Sequence, residues 1–126
     1  MGVVLTPKRA EVEAFNGSFW TWRPLVNMLR DASVVNLESI GPVPGSFLLA
    51  EVDAEQAAHI ADFLDGFLPG LGPDTRLLLD GSITDVVDTG EFYREEAESF
   101  KNYSTSREWL VDFRDFCQAS GGFTVY

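Results

Sequence analysis

Two breaker clusters, Gly41-Pro42-Val43-Pro44-Gly45 and Pro69-Gly70-Leu71-Gly72-Pro73, constrain the fold of this chain more than any other feature. Proline fixes φ and lacks a backbone donor, and glycine weakens the interior of helices and strands. Neither cluster can therefore sit inside a regular element. Between them, Asp53-Ala54-Glu55-Gln56 spells a capping box: the Asp53 side chain accepts from the first turn and Gln56 reaches back to the cap. The helix that follows places Ala57, Ile60, Ala61, Leu64, Phe67 and Leu68 on one face. Glu55, His59, Asp62 and Asp65 lie away from most of it. One amphipathic helix over Asp53 to Leu68, closed firmly by Pro69-Gly70, is the clearest element in the chain.

The rest reads less cleanly. Thr6-Pro7 predicts a helix start, with Pro where its missing N–H costs nothing, running to about Phe15 and stopping at Asn16-Gly17. A second helix spans about Trp20 to Ala32, with Pro24 in its first turn and Leu25, Met28 and Leu29 on one face. Val34-Val35 and Phe47-Leu48-Leu49 suit short strands, and Arg76-Leu77-Leu78-Leu79 suits a buried strand or a short helix. Asp80-Gly81-Ser82 is a turn. Asp88-Thr89-Gly90-Glu91 suits the cap of a helix carrying Phe92, Glu96, Phe100 and Tyr103. Thr105-Ser106-Arg107-Glu108 forms a second capping box before the stripe Trp109, Leu110, Phe113, Phe116 and Cys117, which ends near Ser120-Gly121-Gly122. Phe123-Thr124-Val125-Tyr126 alternates as an edge strand would. The expected architecture is a mainly helical α+β fold: a single compact domain, residues 1–126, of about five helices with a few short strands.

Charge is segregated. Between Glu51 and Glu98 there are thirteen Asp and Glu against only Arg76 and Arg94, which accounts for the whole net charge of −11. Both flanks are neutral. With 45% hydrophobic residues in 126, the chain has material for a core despite that charge. A one-signed field steers basic partners and makes association salt-dependent, and it opposes direct binding to nucleic-acid phosphates. Cys117 is the single cysteine, so no intrachain disulfide forms. No window approaches the ~18 apolar residues of a membrane span, and the opening Val3-Val4-Leu5 is too short for a secretory leader. A cytoplasmic protein with no membrane association is expected.

Few residues carry chemistry. Asp80, Asp85 and Asp88 offer three oxygen ligands but depart from the calcium-loop pattern, and no zinc-ligand, Walker or Gly-x-Gly-x-x-Gly pattern occurs. Neither a cofactor nor a metal is expected. Cys117 lies on an apolar stripe, where a thiol behaves as a small hydrophobe, and His59 is the only histidine to serve as a base. No Gly-x-Ser-x-Gly elbow is present. Paired carboxylates among twenty acids carry no specificity for hydrolysis. These absences weigh against an enzyme.

Aromatic density peaks at Asn16 to Leu25, with its Trp20-Thr21-Trp22-Arg23 core. Trp and Arg dominate interface hot spots, and two tryptophans two positions apart on a helix cannot point the same way. This segment, with Phe113-Arg-Asp-Phe-Cys117-Gln-Ala-Ser-Gly-Gly-Phe123, resembles parts of small uncharacterised bacterial proteins. The resemblance covers about a third of the chain and implies a bacterial cytoplasmic origin and a domain whose two ends pack together. It assigns no activity. The function expected is a non-catalytic, acidic protein-interaction module of immunity or adaptor type, docking a basic partner. Trp20, Trp22, Arg23, Asp80, Asp85, Asp88, Glu91 and Glu95 are the contact candidates. The alternative is a small ligand-binding protein or enzyme whose pocket, lined by Trp20, Trp22, Arg23 and Tyr103, holds an anionic metabolite.

Overall fold

The chain opens as a strand. β1 (Gly2–Pro7) runs antiparallel to β2 (Phe15–Ser18), with Val3 opposite Gly17 and Leu5 opposite Phe15. This corrects the helix expected from Thr6-Pro7. Val3 and Leu5 are buried while Val4 and Thr6 are exposed, the period-two pattern of a half-buried strand. Pro7 closes β1 beyond the last β2 pair, where a missing N–H costs that ladder nothing. The description comes from a computed structural model and covers residues 2–32, 51–86 and 92–125.

Helix α1 (Phe19–Asp31) starts at Ser18, whose side chain accepts from the Thr21 N–H at 3.1 Å. Because the helix begins this early, Pro24 falls in its second turn, not its first. Having no N–H, it leaves the Trp20 carbonyl without its usual helical donor. Leu25, Val26 and Leu29 are buried on the inner face. The strands expected at Val34-Val35 and Phe47–Leu49 lie outside the described residues.

β3 (Glu51–Val52) leads into α2 (Ala54–Phe67), capped as the sequence predicts: Gln56 N–H donates to the Asp53 carboxylate at 2.8 Å, and the Gln56 side chain accepts from Asp53 N–H at 3.1 Å. A 3-10 turn (Leu68–Gly70) ends it. β4 (Arg76–Leu78) pairs antiparallel with β5 (Ile83–Thr84) and with β6 (Ser104–Ser106), making a three-stranded sheet with β4 central. Between β5 and β6 a 3-10 segment covers Glu96–Asn102, shorter than the expected helix and leaving Phe92 and Tyr103 outside it. The cap proposed at Asp88–Glu91 lies outside the described residues.

α3 (Arg107–Ser120) is capped by Ser106, which accepts from Trp109 N–H at 3.1 Å. Thr105 is therefore not the cap. It sits in β6, fully buried, and its hydroxyl donates to the Thr21 carbonyl of α1. Gly121 ends α3 in the left-handed conformation, and β7 (Phe123–Val125) follows at once. β7 is not an edge strand. The four-stranded sheet has the order β2-β1-β7-β3, so β7 pairs with β1 on one side and β3 on the other, bringing the two ends of the chain together.

One apolar cluster joins these parts. Val3, Leu5, Val52 and Phe123 of the four-stranded sheet meet the inner faces of all three α-helices, with Phe113 at 0% exposure among them. The molecule is an α+β domain. Helix predominates, as expected; among the described residues there are three α-helices and two 3-10 segments in place of about five helices, with seven strands in two sheets.

Candidate functional site

Side chains two apart on an α-helix point about 200° from one another, so α1 cannot hide both tryptophans. Trp22 takes the core, at 3% exposure, edge-to-face with Phe113 (centroids 5.8 Å apart) and Trp109 (6.5 Å). Among the described residues its buried Nε1 has no hydrogen-bond partner, a destabilising feature set against those ring contacts. Trp20 takes the surface, at 44% exposure. Its ring lies 4.7 Å from Tyr103 and meets Phe92 edge-on at 6.3 Å. Phe92 is itself 61% exposed.

Arg23, three residues after Trp20, falls on the same side of α1. Its Nη1 donates to the Tyr103 hydroxyl at 3.2 Å, and its guanidinium carbon stands 4.8 Å from the centre of that ring. The structure thus brings together Trp20, Arg23, Tyr103 and Phe92. Trp22 does not join them.

The loop holding this cluster is built at both ends. The Asn102 side chain pairs with the Tyr93 backbone as a strand would, accepting from its N–H at 2.7 Å and donating to its carbonyl at 2.8 Å. That bridge brings Phe92 and Tyr103, its outer neighbours, to the same tryptophan. Glu95, Glu96 and Glu98 are exposed on the arc between them. Lys101 pairs with Glu98 at 3.2 Å and stands 5.4 Å from the Tyr93 ring centre. Among the described residues, Glu95 and Glu96 form no ion pair.

Of the other acidic candidates, Asp80 and Asp85 lie within the described residues. Asp80 is committed to its own turn, accepting from Ser82 Oγ at 2.6 Å and Ser82 N–H at 3.0 Å; both bonds hold its carboxyl below its ordinary value. Asp85 is exposed beside Val86, whose carbonyl accepts from Arg76 Nη2 at 2.7 Å. Asp88 and Glu91 lie outside the described residues. Among the described residues, no three His, Cys, Asp or Glu side chains are grouped to hold a metal ion. Every described carboxylate from Asp53 to Glu98 is exposed. Of these, Asp65 pairs with Arg114 at 2.8 Å and Glu98 with Lys101.

Cys117 is buried on the inner face of α3, and burial pushes its thiol far above its ordinary range. His59 is exposed on α2. A buried thiol and a surface imidazole do not make a nucleophile and its base. Among the described residues, no helix is long and apolar enough to cross a membrane.

Sequence reasoning missed the pairing of Phe92 with Trp20. The available signal was an aromatic dipeptide, Phe92-Tyr93, flanked by Glu91, Arg94 and Glu95, a setting too polar for a core position. No protein-family model, curated protein or solved structure matches this chain.

Proposed function

We propose that this chain is a non-catalytic, acidic protein-interaction module that docks a basic partner, in the manner of an immunity protein or adaptor. One observation carries the reading: the described carboxylates from Asp53 to Glu98 stand on the surface. Among the described residues, Glu55, Asp62, Asp74, Asp85, Glu95 and Glu96 have no ion pair. Such charges repel one another at a cost, and a basic partner converts that cost into attraction and faster association. The pocket alternative, an anionic metabolite held by Arg23, draws less support. Trp22 faces the core, and the Arg23 guanidinium is engaged by Tyr103.

The test is affinity capture on the immobilised chain across a salt series. Retained proteins should be basic and should elute as ionic strength passes about 0.15 M, where the screening length is about 8 Å. Recovery of nothing basic at low salt, or retention indifferent to salt, sinks the reading.

A further inference from the structure

Trp20 and Phe92 are both exposed and in mutual contact, and contiguous exposed apolar patches mark binding sites. The neighbouring rings show the chemistry this region uses. The Arg23 cation lies over Tyr103, and Lys101 lies over Tyr93. Trp20 and Phe92, the two most exposed rings of the cluster, have no cation over them among the described residues. Tryptophan offers the best π face for a cation, and a planar guanidinium stacks on it while forking to carboxylates. Glu95 and Glu96, unpaired among the described residues, stand on the arc that joins Phe92 to Tyr103.

Resting on the reading of the chain as a module for basic partners, we propose that Trp20 and Phe92 form the seat for an arginine side chain of the docked protein, with Glu95 and Glu96 as its acidic rim. The aromatic faces supply affinity and the preference for arginine. The wider acidic surface supplies attraction at a distance.

Binding of octa-arginine and octa-lysine peptides to the intact chain, followed by calorimetry at low salt, tests this. The wild type should prefer octa-arginine. Trp20→Ala and, separately, Phe92→Ala should each weaken octa-arginine binding by about fivefold or more, the scale of a partly desolvated cation–π contact, and should bring the two peptides together in affinity. Glu11→Gln with Glu13→Gln, exposed in the neutral N-terminal flank, should change binding by less than about twofold at screened ionic strength. Near-UV circular dichroism and a thermal melt verify that each variant folds, which is expected because both rings lie outside the core cluster. If octa-arginine binds the wild type with salt dependence but both aromatic variants bind it equally well, the seat is disproved and the acidic module stands. If neither peptide binds at low salt, both readings fall.

Discussion

At the scale of single residues, some demands are met within a few positions and others are set by distant parts of the chain. Asp80 illustrates the first. Its carboxyl is held down by two donors from Ser82, so the turn gains stability above the ordinary carboxyl value of 3.8 and loses it as pH falls through the lowered one. Ser82→Ala removes the stronger donor, and the Asp80 midpoint in a carboxyl NMR titration should then rise toward 3.8. An unchanged midpoint would show that the turn does not exist in solution. Gly122 illustrates the second. At φ 105°, a Cβ there would stand 2.8 Å from the Val52 carbonyl oxygen, where β7 meets β3. Gly122→Ala should cost about 2 kcal/mol or more in denaturant unfolding, from backbone strain and collision together. The turn was legible from Asp80-Gly81-Ser82. The demand at Gly122 was not, because it arises from a strand seventy positions earlier in the chain.

At the scale of elements, legibility followed the range of the forces involved. α2 was readable to within a residue because its capping box and its stripe are written within a few positions of each other. α3 was readable as a stripe, but its cap was assigned one residue early. Thr105 and Ser106 are chemically equivalent as caps, and only the tertiary contact with the Thr21 carbonyl removes Thr105 from contention. Ser106→Ala should therefore cost about 1 kcal/mol of stability, and Glu108→Gln less than half as much, since Glu108 aids the helix dipole without closing a capping box. Equal losses would restore the reciprocal box. β1 was misread for the same kind of reason. Thr6-Pro7 satisfies a helix start locally, yet the segment forms a strand. It pairs with β2 on one side and, at Leu5 to Pro7, with β7 from the far end of the chain, and Val3 and Leu5 bury on alternate positions.

At the scale of the whole molecule, net charge and the meeting of the chain's ends occupy different parts of the sequence. The two neutral ends meet in the four-stranded sheet, Leu5 opposite Val125 and Pro7 opposite Phe123, and hold the aromatic core. The acidic middle supplies α2 and the three-stranded sheet's β4 and β5, and its described carboxylates from Asp53 to Glu98 are exposed. Contacts of such long sequence separation carry a large closure entropy and slow the folding of a chain that depends on them. β7 is then the strand on which completion depends. It lies between β1 and β3, and Phe123 places its ring against Phe113 and Phe116. Removing residues 121–126 deletes the partner of both neighbouring strands and opens the core beside Phe113. That truncation should abolish the cooperative thermal transition and the near-UV signal of Trp22 and Trp109. Phe123→Ala alone should cost about 3–5 kcal/mol. A truncated chain that still melts cooperatively within about 5 °C of the intact one would mean that the core closes without its central strand, and that the sheet's two edges are held by the helices instead.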